Sequence, residues 1–281
     1  MTLEEFARIH LPALEEDEVR FNLPIAVLTA AATNPPEGFA FWSLGEPGHC
    51  AIRSPGRPIL LGNLNQAECD RLAEDTIKDP SGVAGADDRP HWFAERATAL
   101  GARFDPPIPQ RINLLKSPPR FPNAPGSARE AAVADAPLLF EWLGAFHQEA
   151  VPHDPAPDRH HVEKVAGSGR YVFWTVEGQP VSMAAIARRL RNTGSVAPVY
   201  TPPEQRNRGF AGAATAAVVE RLFAEGKTAA CLFTDVRNPM SNRCYANIGF
   251  EPYCDAWLYL RGRRRVAPIR LESRSAAPTQ C

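Results

Sequence analysis

VAPVYTPPEQRNRGFAG, residues 196–212, is the stretch on which the reading of the whole chain turns. An extended apolar segment, Val199-Tyr200-Thr201, is halted by Pro202-Pro203, and a helix is predicted to begin between Gly209 and Gly212. Between the two lies Arg206-Asn207-Arg208. A strand, a short loop and a helix N-terminus gather free backbone N–H groups on one point, and two arginines beside them suit an anion. Phosphate is the expected guest. Gly209, Ala211 and Gly212 keep the inner side of such a loop clear of projecting side chains. The spacing, Arg-x-x-Gly-x-Ala, is neither the dinucleotide G-x-G-x-x-G nor a P-loop. Taken alone, the same residues also fit an ordinary turn with solvated charge.

A second constellation follows an apolar strand predicted at 229–234. It runs Asn238-Pro-Met-Ser241-Asn242-Arg-Cys-Tyr245-Ala-Asn-Ile-Gly249-Phe250. The first string resembles the pyrophosphate motif of the GNAT superfamily of N-acetyltransferases, and the second resembles that family's Asn-x-x-Ala/Ser-x-x-x-Tyr-x-x-x-Gly-Phe pattern. The resemblance implies acetyl-CoA as acyl donor, with its diphosphate on Arg206, Asn207, Arg208, Gly209, Phe210, Ala211 and Gly212. Backbone groups of Val199, Tyr200 and Thr201 would then pair with the pantetheine amides or polarise the thioester carbonyl. Asn238, with Asn242 in the same segment, would contact the pantetheine arm or an ordered water. Tyr245 would donate a proton to the leaving thiolate. The plainer alternatives are an N-cap for Asn238 and a buried aromatic for Tyr245.

Amine acylation needs a neutral amine, a polarised carbonyl and a proton for sulfur. Glu149 is the candidate general base, an acid at the end of a predicted helix whose stripe is otherwise Leu139, Trp142 and Phe146. A helix-end surface acid with a water-relayed proton is the alternative. His153, Asp154, Asp158, His160 and His161 crowd one Pro-rich segment without fixed helical spacing, which favours an acceptor loop over a metal site, and no metal is expected. Cys244 has no neighbouring His in sequence to make it a nucleophile.

The 281 residues suffice for two medium domains, and 31 basic against 32 acidic side chains leave no field to draw the chain to nucleic acid or an anionic membrane. Six cysteines without C-x-x-C pairing, an acidic start and an apolar run at 23–32 too short for a bilayer predict a soluble, cytoplasmic protein.

In chain order, helices are predicted over 1–33, then short strands at 38–44, 50–53 and 58–61. Helices at 65–78 and 91–100 and a strand at 109–115 complete the first half. SPPRFPNAPGS, 117–127, reads as a stiff interdomain linker. Asp135 is expected to cap a helix, followed by a short helix at 160–166, strands at 170–176, 181–188 and 196–201, and a helix at 210–225. A helix at 240–247 and a terminal strand pair over 250–261 finish the set. This order matches the GNAT fold over 127–261.

The expected fold is therefore α/β of the α+β type, a mixed, mainly antiparallel sheet flanked by helices, preceded by a second mixed α/β domain. The domains are 1–116, a linker at 117–126, the acetyltransferase domain at 127–261 and a basic, disordered tail at 262–281. Phe41-Trp42 before a Gly-Glu-Pro turn echoes Phe173-Trp174 before Glu-Gly-Gln-Pro, so the first half is a candidate degenerate copy that has lost the anion loop. The expected activity is direct transfer of acetyl from acetyl-CoA to a primary amine, on a small molecule or a peptide. The rival is a non-catalytic acyl-CoA-binding or protein-interaction module. A hydrolase is disfavoured because no G-x-S-x-G elbow occurs.

Overall fold

The structure, a computed structural model, describes residues 1–78 and 81–262. The first half contains α1 (Leu3–Leu14), α2 (Asn22–Thr33), β1 (Ala40–Ser43), β2 (Cys50–Arg53), β3 (Ile59–Leu61), α3 (Gln66–Asp75), β4 (Val83–Ala86), α4 (Arg89–Ala99) and β5 (Ile108–Leu115). The second contains β6 (Ser127–Glu130), α5 (Ala136–Ala150), α6 (Arg159–Val165), β7 (Tyr171–Val176), β8 (Gln179–Arg189), β9 (Thr193–Tyr200), α7 (Phe210–Ala224), β10 (Ala229–Asp235), α8 (Pro239–Ile248) and β11 (Glu251–Tyr259). The fold is mixed α/β with a mainly antiparallel sheet flanked by helices.

All eleven strands form one sheet, in the order β1-β2-β3-β4-β11-β5-β10-β9-β8-β7-β6. In each half an antiparallel run, β1 to β3 in the first and β6 to β9 in the second, leads to a parallel partner: β3 beside β4, and β9 beside β10. The next position is then filled by the other half. β11 lies between β4 and β5, and β5 lies between β11 and β10. The last strands of the two halves have changed places.

The echo between Phe41-Trp42 and Phe173-Trp174 has a structural counterpart. Successive side chains of a strand point to opposite faces. In β1, Phe41 packs with α1 and α2 while Trp42 packs with α3 and α4. In β7, Phe173 packs with α5 and α6 while Trp174 joins the core of α7 and α8. The two halves thus repeat one arrangement, with the first helix pair on one face of the sheet and the second pair on the other.

Further contacts tie the halves together. The buried Glu18 carboxylate, between α1 and α2, accepts hydrogen bonds from the Asn192 and Thr193 backbone N–H groups at 2.9 Å and from the Asn192 side chain at 3.0 Å. Arg188, half-buried in β8, donates to Asn22 at 2.9 Å and Ser195 at 3.0 Å and lies over the Phe233 ring.

Four local expectations need correction. Within 250–261 lies the single strand β11, Glu251–Tyr259, and the second strand of the expected pair is β5, drawn from the first half. β4 was not foreseen, because Val-Ala-Gly-Ala is short and carries no alternation. Asp135 does not cap α5, since its carboxylate accepts from the Ala132 N–H at 2.7 Å and from Arg129 at 2.7 and 2.9 Å. The 117–127 segment is a strap packed on the second half, as detailed below. The predicted tail lies outside the described residues from 263 onward. Among the described residues no helix is long and apolar enough to cross a membrane.

Candidate functional site

β9 and β10 are paired only at Thr193–Ala229, Gly194–Ala230 and Ser195–Cys231. β9 nevertheless continues to Tyr200 and β10 to Asp235, so the two strands part beyond that point and, among the described residues, leave the 196–200 backbone paired with β8 alone. A parallel pair that separates exposes unpaired N–H and C=O groups along a wedge, which is a seat for an extended amide-bearing ligand.

The wedge opens onto the N-terminus of α7. Gly209 is the N-cap, at φ 81° in the left-handed region that favours glycine, and no side chain caps the helix. Asn207 is left-handed as well, at φ 63°. The first-turn N–H groups of α7 therefore face outward uncapped, with the positive end of the helix dipole behind them. Arg206, Asn207, Arg208 and Gly209 are exposed around this terminus, Phe210 is buried beneath it, Ala211 is half-buried and Gly212 is buried.

The small residues have a second use that sequence reasoning missed. A methyl built at Gly209 would lie 3.4 Å from Pro122 Cβ and 3.5 Å from Ala124 Cβ, and one at Gly212 would lie 3.3 Å from Pro122 Cγ. The glycines thus let the strap between the halves close on α7. The strap is held by the Arg120 N–H donating to the Ile248 carbonyl at 2.8 Å and by the Trp174 indole donating to the Pro125 carbonyl at 2.8 Å.

The two arginines of the loop differ. Arg206 Nε donates to the Thr201 carbonyl at 2.9 Å, and its Nη2 is 2.6 Å from Glu149 Oε2. Arg208 makes a 3.2 Å hydrogen bond to Gln205 and no ion pair among the described residues. Thr201 and Ser182 hydroxyls meet at 2.8 Å, with Ser182 also donating to the Tyr200 carbonyl at 3.1 Å, so the end of β9 is fixed.

Alternation along β9 sorts the remaining residues between the two faces. Val199 packs with the α7–α8 core that also takes Phe210 and Tyr245. Tyr200 packs on the opposite face with α5, its ring 6.0 Å from Trp142. Tyr245 sits edge-on to Phe250, 6.1 Å between centroids, and burial pushes its phenol well above the ordinary tyrosine value. It therefore stays protonated at neutral pH, as a proton donor must. Asn238 is the N-cap of α8, its side-chain oxygen accepting from the Ser241 N–H at 3.1 Å. Its amide NH₂ has no hydrogen-bond partner among the described residues. The Asn242 amide donates to the Asp235 and Val236 carbonyls at 3.2 Å, which commits it to bracing the β10–α8 turn.

Glu149 lies on the α5 face, half exposed and joined to Arg206 rather than isolated. The acidic and histidine-rich loop beyond it is braced by the first half: Asp154 pairs with Arg57 at 2.5 Å, and its carbonyl accepts from His147 at 2.6 Å. Asp158 caps α6 through the His161 N–H at 2.8 Å. Cys244 is held in its thiol form by burial.

The family model described as Acetyltransferase (GNAT) family matches residues 136–250. No curated protein matches the sequence. Among solved structures, a Drosophila protein is similar over 92% of this chain and 97% of its own, at 13% identity and a TM-score of 0.64. A GCN5-related N-acetyltransferase from Kribbella flavida is similar over 88% and 97%, at 17% identity and a TM-score of 0.59. A tandem GNAT protein from the clavulanic acid biosynthesis pathway is similar over 91% and 92%, at 14% identity and a TM-score of 0.56. At these identities the likeness is one of fold, and it extends over both halves. The motif-bearing second half of the chain, residues 136–250, is a domain of the GNAT acetyltransferase family.

Proposed function

We propose that the chain transfers the acetyl group of acetyl-CoA to a primary amine on a small molecule or peptide. The observation that carries this is the wedge between β9 and β10 opening onto the uncapped N-terminus of α7, with Tyr245 on the same packed face. In this reading the diphosphate takes the 206–212 N–H groups and Arg208. The pantetheine arm lies along Val199–Thr201, with Asn238 donating to it from the other side.

The amine nitrogen attacks the thioester carbon, the C–S bond breaks, and Tyr245 gives its phenolic proton to the departing sulfur. The amine proton leaves to Glu149 or to water. Glu149 Oε2 is held by Arg206, and Oε1 has no hydrogen bond among the described residues, so one oxygen is available for that step. The first half acts as a degenerate copy that walls the acceptor side through Arg57 and the 151–158 loop. Five described cysteines are free, which suits a reducing cytoplasm.

Acetyl-CoA should raise the melting temperature of the purified full chain, because a ligand selective for the folded state stabilises by about 2.7 kcal/mol at a hundredfold excess over Kd. Absence of binding at millimolar acetyl-CoA by calorimetry would overturn the reading. A panel of amines scored by release of free CoA then identifies the acceptor.

A further inference from the structure

Acetyl-CoA carries more charge than the 206–212 loop has free cations to meet. Arg206 is committed to Glu149 and the Thr201 carbonyl. Arg237 is paired with Asp235, and Arg221 with Glu130 and Glu225. The loop itself therefore offers Arg208 against a diphosphate and, further along, the phosphate monoester on the adenosine ribose.

The strap supplies what the loop lacks. Pro122 touches the first turn of α7, within van der Waals range of the Gly209 and Gly212 positions, and Arg120 precedes it by two residues. Two extended residues cover at most about 7 Å, so an arginine there reaches the mouth of the helix terminus. The Arg120 guanidinium is exposed beside Gly249 and makes no ion pair among the described residues. Phe121, between them, is 44% exposed, its ring 6.5 Å from Trp174. An exposed ring beside a phosphate site offers a face to a purine, and an unpaired guanidinium offers a fork to a phosphate. The strap's backbone is pinned at both ends by the 2.8 Å bonds to Ile248 and from Trp174, so these two side chains are presented from a fixed rail.

Resting on the acetyl-CoA reading above, we propose that the strap joining the two halves forms the outer wall of the donor site. Arg120 binds the 3′-phosphate of the donor's adenosine, and Phe121 stacks on the adenine. The segment between the repeats is then part of the binding site, and the second half alone cannot hold its donor normally.

Calorimetry on the full chain with CoA and 3′-dephospho-CoA tests this. The wild type should prefer CoA by about tenfold, the discrimination expected of one charge-assisted contact. Arg120→Ala should erase that preference and leave 3′-dephospho-CoA affinity unchanged, with Arg120→Lys restoring part of it. Phe121→Ala should weaken both ligands by the same factor, of order tenfold. Both side chains are exposed, and unchanged melting temperatures without ligand confirm that the variants fold. The proposal is overturned if Arg120→Ala keeps the preference, or if Arg243→Ala, on the neighbouring α8, removes it instead. Equal binding of the two ligands by the wild type overturns it too. Binding of neither ligand by the wild type overturns the acetyl-CoA reading beneath it, a result distinct from the others.

Discussion

At the β3–α3 junction the chain turns from Gly62 to Asn65, and the helix that follows closes its own N-terminus. The Asn65 side chain accepts from the Glu68 N–H at 3.0 Å, and the Glu68 carboxylate accepts from the Asn65 N–H at 2.9 Å and contacts His49 at 2.8 Å. At the β9–α7 junction, in the same place of the second repeat, the turn is longer, the cap is Gly209 with two arginines just before it, and Gly212 stands at the helical position that Glu68 fills in the first repeat. A helix dipole favours negative charge at its N-terminus. The first repeat satisfies that preference from within, and the second leaves it for a ligand. Loss of an anion site therefore needs no damage to the fold, only a side chain that does the ligand's work.

The comparison assumes that the repeats are interlocked, and the largest effect tests this. A fragment of residues 127–281 loses β4 and β5, which leaves β10 with an open edge and β11 without either of its strand partners. It should show no cooperative melting and no binding of acetyl-CoA. A fragment that melts cooperatively would mean the second repeat is complete by itself.

Gly209→Glu gives the second repeat the chemistry of the first. A carboxylate at the helix terminus, on a residue forced to positive φ beside Pro122, should weaken acetyl-CoA binding at least about a hundredfold by calorimetry, some 2.7 kcal/mol. Unchanged affinity would move the phosphates elsewhere.

Tyr245→Phe should lower kcat by roughly a hundredfold, the usual scale for loss of a positioned proton donor, with donor affinity intact. Because burial raises the phenol above 10.0, the donor form persists as pH rises and is lost only through that elevated value. The wild-type kcat should then show no falling limb from this group below pH 10, and one that fell earlier would belong to another residue. Equal turnover in the variant would reduce Tyr245 to packing.

The smallest effect is on the closed junction. Asn65→Ala should cost about 1 kcal/mol of stability, measured by denaturant unfolding, and leave one donor equivalent per chain. A second equivalent would show that the cap alone had been blocking a site.

The donor site proposed here could be drawn from the sequence alone because its residues are local: Arg206 to Gly212 and Asn238 to Phe250 each lie within one turn and one helix. The helix pairs and most strands were legible from periodicity. The exchange of β5 and β11 was not, since Pro109 faces Trp257 and Leu114 faces Glu251 across pairings that no short-range pattern encodes. The strap read as a linker because prolines mark both a spacer and a segment fitted against glycines. Only the partner surface tells them apart. The tie between Glu149 and Arg206 was hidden for the same reason, since the two sit on different elements.

The exchanged strands also impose an order on biosynthesis. β4 and β5 leave the ribosome well before the strand that lies between them, residues 251–259, which follows only after β6 to α8 have been made. Until then the nascent first half carries two unfilled edges, open to wrong pairing with other chains. These pairings span a long stretch of sequence, and long-range strand pairing is slow to form. This delays the closure of the sheet until β11 has been made. Dependence on holding chaperones should fall on that interval rather than on the finished protein.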